Sequence, residues 1–246
     1  MGGVRYILRR VSLAVFVILG VLLITFAVSR IIPGDPARLY LGARASQQAV
    51  EQIRNELGLN DPLPKQFLRY VVDSTQGNFG YSFRTKRLIL DDLKKRLPAT
   101  MELVVLALIF SVLVGVPVGV LAAAHFGGTL DRFVRVISVL GVSMPAFWLA
   151  LLLQLMFFLW LDLLPLGGRL GQTISLLHPI ETITGFYLID AAITGNWVAW
   201  RDAAWHAILP TAVLATFPIS LVIRMIRASM LEVLSETYVT AARAAG

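Results

Sequence analysis

Four stretches of this chain run without charge for long enough to cross a lipid bilayer, and this constrains the fold more than any motif does. A spanning helix needs about 20 residues at about 1.5 Å each. Residues 11–32 qualify, interrupted only by Arg30, and so do residues 103–124, 136–161 and 203–223. Composition agrees: 57% of the residues are hydrophobic and only 15% are charged, against about a quarter charged in a soluble domain. The expected fold class is all-α, a polytopic transmembrane helical bundle with four spans.

Arg5, Arg9 and Arg10 precede the first span and resemble the basic region of a signal peptide. The apolar run that follows far exceeds the ~7–15 residues of a signal core, so it reads as a retained signal-anchor. Basic residues favour the cytoplasmic side, which puts the N-terminus inside. Alternation then places residues 34–98 outside, 125–135 inside, 162–202 outside and the tail inside. Arg132 and Arg135 on the inner loop, and Arg224, Arg227 and Arg243 near and in the tail, agree with that order. Lys94, Lys95 and Arg96 oppose it, but they belong to a loop slightly longer than the charge rule covers. The formal charge of +7 points to anionic lipid headgroups, and no basic run is interleaved with aromatics as nucleic-acid binding would require.

The first outer stretch is long enough to fold. Residues 47–57 have helical spacing, with Val50, Ile53 and Leu57 on one face. Gly58, Pro62 and Pro64 break the chain before residues 66–72 resume as a helix, and residues 77–80 form a turn. A small helical extracytoplasmic cap is expected. In the second outer loop, Asp190, Gly195 and Asn196 interrupt a moderately apolar segment, which predicts an interfacial or shallow re-entrant piece. The last residues read as a short small-residue helix with Ser235 as N-cap, Glu236 at its positive end and Gly246 at the stop position.

Little here can do chemistry. None of the four lysines follows a glycine, so a phosphate-cradling loop of the Gly-Lys type is excluded. Cysteine is absent and the three histidines are scattered. The best enzymatic candidate is a dyad of Ser143 and His206, but the two lie at depths differing by roughly 15 Å in a core of ~30 Å. In the alternative, Ser143 satisfies backbone groups freed by Pro145 and His206 sits at the interface. The span interiors hold no charge, and Glu102 and Arg30 at their ends can snorkel. What the spans do carry is packing and bending: a close-approach pair at Gly115 and Gly119 flanking Pro117, and kink sites at Pro145, Pro210 and Pro218.

An ordered series of motifs then resembles a known family. It opens with Tyr6-Ile7-Leu8-Arg9-Arg10 and Ile32-Pro33-Gly34-Asp35-Pro36, followed by Leu57-Gly58-Leu59-Asn60-Asp61-Pro62, Gln66, Tyr70 and Gly77-Asn78-Phe79-Gly80. Pro98, Thr100, Glu102, Gly115-Val116-Pro117-Val118-Gly119, Ser143-Met144-Pro145-Ala146-Phe147-Trp148 and Leu209-Pro210 come next. Arg224, Arg227, Ser229, Met230 and Glu232 lead into Tyr238 and Ala242-Arg243-Ala244-Ala245-Gly246. The whole chain resembles the permease subunit of bacterial ABC importers for dipeptides, oligopeptides or nickel, most nearly the dipeptide branch.

The resemblance implies a permease fold of the type I importer class in a bacterial cytoplasmic (inner) membrane. Residues 1–32 would be the cytoplasmic end and first span, and 33–98 the cap. Residues 99–234 would form the core, with spans near 101–124, 136–161 and 203–226 and an outer loop at 162–202. Residues 235–246 would be a coupling helix that seats in an ATPase subunit through Glu236, Tyr238, Thr240, Ala241, Ala242, Arg243 and Gly246, with Thr240 standing where the family motif has glutamate. Ser143, Pro145, Phe147, Pro210 and Pro218 are the pathway and kink candidates. The implied partners are a homologous second permease, two ATPases and an extracytoplasmic substrate-binding protein, besides membrane lipids. No catalytic, cofactor or metal residues are expected, since ATP and magnesium belong to the ATPases. Family members continue beyond this glycine with the rest of the coupling loop and about two more spans, which this sequence does not include; a fragment and a truncated product fit equally. Glutathione and nickel complexes remain possible cargo; the other classes are an intramembrane serine protease using Ser143 and His206, and a non-transporting scaffold.

Overall fold

The computed structural model describes residues 2–31, 35–42, 45–82 and 84–239, in two units, Met1–Lys94 and Lys95–Gly246. Among the described residues the regular structure is helical, apart from a single bridge between Tyr81 and Leu88.

In the first unit, α1 (Gly2–Ile31) carries Arg5, Arg9 and Arg10 near its start and Arg30 near its end, with a strongly apolar stretch between, and at about 1.5 Å per residue the helix exceeds a ~30 Å bilayer core. Phe26 is buried, and its ring packs edge-on against Phe67 at 5.4 Å and lies 5.9 Å from Tyr70. The short α2 (Pro36–Leu41) is capped by Asp35, which accepts from the Ala37 N–H, and α3 (Gln47–Glu56) by Ser46, which accepts from Ala49. Helix α4 (Leu63–Thr75) begins earlier than the sequence predicts. Pro64 sits inside its first turn, where the missing N–H has no helical partner to lose. Gln66, 8% exposed, ties α4 to the preceding turn by donating from Nε2 to the Leu59 and Asp61 carbonyls. Gly58 makes that turn with φ +62°.

Helix α5 (Ile89–Ala124) is 36 residues long and contains Pro98 and Pro117. The third apolar stretch is not one straight span. It breaks into α6 (Thr129–Ser143) and α7 (Ala146–Gln154), the latter ending in a wider turn at Leu155–Trp160, and the two halves are bent by 105°. The cause is local. Pro145 disfavours helical geometry at the residue before it, and Met144 is extended at φ −75°, ψ 127°. Two short helices follow, α8 (Gln172–Leu177) and α9 (Tyr187–Ile193). Helix α10 (Trp197–Leu234) then runs 38 residues and absorbs both Pro210 and Pro218.

Small residues hold the second unit together. Ala107, Ser111, Gly115 and Gly119 recur every four residues along α5 and are all buried. A Cβ at Gly115 would lie 2.8 Å from Val222, and one at Gly119 would lie 2.9 Å from Ile226. The close-approach pair therefore seats α10. Ala122, Val134 and Ile223 join α5, α6 and α10 in one apolar cluster. Large side chains such as Leu113, Phe133, Phe147 and Trp160 face outward. Lipid tails are as apolar as leucine, so helices in a membrane associate through close packing and small residues.

Candidate functional site

Helix α10 organises the second unit, and its two ends are fastened differently. Residue pairing fixes directions: Ser111 meets Ala215 and Gly119 meets Ile226, so α5 and α10 run parallel. Asp131 meets Arg227 and Gly141 meets Ser220, so α6 runs the other way.

At the Leu234 end, Asp131 is 0% exposed. Arg227 grips it with both arms, Nε to Oδ1 at 2.6 Å and Nη2 to Oδ2 at 3.0 Å. The Gly127 N–H donates to the same carboxylate at 3.1 Å, and Arg135 approaches at 3.7 Å. The Arg227 guanidinium also sits 5.5 Å from the Phe126 ring centroid. A bidentate pair fixes orientation as well as distance. The turn between α5 and α6 is thereby tied to α10 two turns before it ends. Seen as a sequence, Asp131 and Arg227 are an unremarked acid and one of several tail cations; 96 residues separate them.

At the Trp197 end, three carboxylates gather the loop. Asp190, also 0% exposed, accepts from the N–H groups of Ile183, Thr184 and Gly185 and from Thr184 Oγ1 at 2.6 Å. Burial alone would raise the Asp190 pKa, but the donors of Thr184, Gly185 and Ile183 outweigh it and hold the carboxyl below its ordinary range. Gly185 turns here with φ +84°, and a Cβ would strike Pro98 at 2.9 Å. Glu102 takes the Leu188 N–H at 2.8 Å and Arg169 Nη2 at 2.7 Å, while Arg169 stacks 3.5 Å over Tyr187. The expectation that Glu102 snorkels is thus replaced by a part-buried ion pair. Asp202 accepts from the Gly171 N–H at 2.6 Å.

Beneath this cluster lies a cavity of about 420 Å³, lined in part by Gln154, Gly168, His206, Pro210 and Leu214. The lining is mostly apolar, with Gln154 and His206 as its polar side chains, which suits brief retention of a small amphiphilic solute. Pro210 lines it; Ser143, Pro145, Phe147 and Pro218 do not. Ser143 is the last residue of α6, and Phe147 lies exposed in α7. His206 Nδ1 lies 2.8 Å from the Asp202 carbonyl, an acceptor, so that nitrogen carries the proton. No hydrogen bond joins Ser143 to His206 among the described residues.

The tail corrects one expectation. Ser235 closes α10 as its C-cap, with Oγ donating back to the Glu232 carbonyl, and is not the N-cap of a following helix. Past it, Val239 N–H reaches the Glu236 carbonyl and Tyr238 is exposed. Thr240, Ala241, Ala242, Arg243 and Gly246 lie outside the described residues.

These features define a membrane-embedded helical subunit built for packing and passage. Residues 115–246 match the family model of the binding-protein-dependent transport system inner membrane component, and residues 3–104 match that of the N-terminal part of such membrane components. The chain is 47% identical to the probable D,D-dipeptide transport system permease protein of Escherichia coli (strain K12), over 94% of this chain and 67% of that protein. It is 40% identical to the dipeptide transport system permease protein of the same organism, over 98% of this chain and 71% of that protein. Identity to the di/tripeptide transport system permease protein of Pseudomonas aeruginosa (strain UCBPP-PA14) is 41%, over 98% and 71% respectively. The chain belongs to the family of binding-protein-dependent transport system inner membrane components, and its role is that of an ABC importer permease.

Proposed function

We propose that this subunit forms half of a translocation pathway for di- or oligopeptides and transmits ATP hydrolysis in partner subunits through the end of α10. The observation that carries the second half of this reading is the Asp131–Arg227 pair, which locks α10 to the turn before α6 just ahead of the segment from Glu236 to Gly246. A helix fastened this way moves as a rigid body with its neighbours, so force at its end reaches the cavity by Pro210 without loss in a flexible joint. In this reading the N-terminus lies on the cytoplasmic side, as Arg5, Arg9 and Arg10 favour, and alternation of the spans brings the turn at 125–128 and the Leu234 end to that side as well. The cluster around Asp190 and Glu102 then faces the outside, where a substrate-binding protein would dock. A homologous permease completes the pathway, and two ATPases hold the ATP and magnesium. This chain binds no cofactor. The peptide class rests on the names of the relatives.

The test is reconstitution in proteoliposomes with the partner permease, the ATPases and the binding protein. Labelled dipeptide should accumulate with ATP, and peptide-loaded binding protein should raise the ATPase rate. ATP hydrolysis indifferent to binding protein, with no accumulation, would leave the scaffold reading. Peptide-bond cleavage lost in a Ser143→Ala variant would favour the protease.

A further inference from the structure

The first unit contains a polar cavity of about 420 Å³ at the Arg30 end of α1, which the transport reading does not use. Arg30, Asp35, Arg54, Asn60 and Gln66 line it. Two buried polar atoms of these residues have no hydrogen-bond partner among the described residues: Arg30 Nε, a donor, and Gln66 Oε1, an acceptor. Neither is an ordinary surface group. Gln66 is 8% exposed, with its other polar atom committed to two backbone carbonyls. Its orientation is therefore set, and the amide cannot turn to satisfy its oxygen. Arg30 lies 5.2 Å from the Phe26 ring centroid, held over the aromatic cluster of Phe26, Phe67 and Tyr70. A buried donor or acceptor left unpaired is costly, so a pair of them in one polar cavity points to a ligand that satisfies both.

The chemistry of that ligand follows from the two unpaired atoms. It must accept from a guanidinium and donate to an amide oxygen. The other cation of the cavity, Arg54, is already bound to Asp35 at 2.7 Å, which leaves Arg30 without a carboxylate partner among the described residues. An anionic group is thus wanted beside Arg30, and a donor, best a cationic one near the Asp35 carboxylate, beside Gln66. Position narrows the source. The apolar stretch Gly3–Arg30 ends at this arginine, so the cavity opens at the boundary between hydrocarbon and water. We propose that it is a binding site for a phosphatidylethanolamine headgroup, the phosphate held by Arg30 and the ammonium donating to Gln66 Oε1.

The test uses the full chain purified in detergent, delipidated, and titrated with short-chain lipids under native mass spectrometry. Phosphatidylethanolamine should bind about fivefold more tightly than phosphatidylcholine, whose quaternary nitrogen has no N–H to give. Arg30→Met, which keeps the apolar stem, should weaken binding of both lipids severalfold, since each carries the phosphate, whereas the preference for the first over the second should persist. Equal binding of the two lipids by the unaltered chain would overturn the proposal, and that comparison needs no variant to fold. So would phosphatidylglycerol binding as well as phosphatidylethanolamine, because a cationic donor would then be irrelevant. Displacement of bound lipid by millimolar inorganic phosphate would instead assign the cavity to a free anion and contradict the lipid source. Undiminished binding in a folded Arg30→Met variant would also refute it.

Discussion

At the Leu234 end of α10 one guanidinium meets one carboxylate, each carried by a helix. At the Trp197 end the carboxylates of Asp190, Glu102 and Asp202 draw mainly on backbone N–H groups of a loop. The first arrangement joins rigid bodies through a single contact whose loss strands a buried charge. The second spreads over many donors, so each is replaceable at modest cost. Transmission calls for the former, and shaping a surface for a partner to land on calls for the latter.

The largest effect should come from breaking the single contact. Asp131→Ala leaves Arg227 desolvated and unpaired, and thermal unfolding in detergent should show a loss of about 3 kcal/mol. Replacing both partners, Asp131→Leu with Arg227→Met, should recover much of that stability, since a buried pair often does no better than apolar residues of similar volume. The helix seam between the two ends comes next. Gly119→Val would place its Cβ 2.9 Å from Ile226, and overpacking of this kind should cost about 2 kcal/mol in the same assay.

The loop end should respond less, and to pH. Asp190→Asn keeps the shape but replaces one acceptor oxygen with an NH2 that cannot accept, so at least one of the N–H groups facing it loses its partner, and a loss of about 1–2 kcal/mol is expected. Because the Asp190 pKa is lowered in the folded state, its stabilisation is complete above the ordinary carboxylate value of about 4. It should disappear as pH falls further, through the folded-state value, and the Asp190→Asn variant should lack that component of the acid transition. Smallest of all is Asp61→Asn in the cap. Lys65 and Arg69 hold the Asp61 pKa down, but the group sits near solvent, and the melting temperature should not move measurably.

The sequence made the membrane helices and the glycine seam legible because both are local: charge-free length, and two small residues four apart. It could not separate Pro145, which breaks the third stretch, from Pro210 and Pro218, which α10 absorbs. All three present the same missing N–H, and neighbouring helices decide whether the freed groups find partners. The fastenings were hidden for a different reason. Asp190 reads as an interruption in an apolar segment, and Arg227 as one topogenic charge among several, until the fold brings each to its partner. Ser235 has the chemistry of either cap, and only the length of α10 shows which end it serves.

The central claim is that force enters through the pinned end of α10. The direct measurement is the ratio of ATPase rates with and without peptide-loaded binding protein, in the fully assembled transporter carrying Arg227→Met. The account predicts that this ratio falls toward one while subunit assembly, followed by co-purification, persists. A ratio equal to that of the unaltered complex would contradict it.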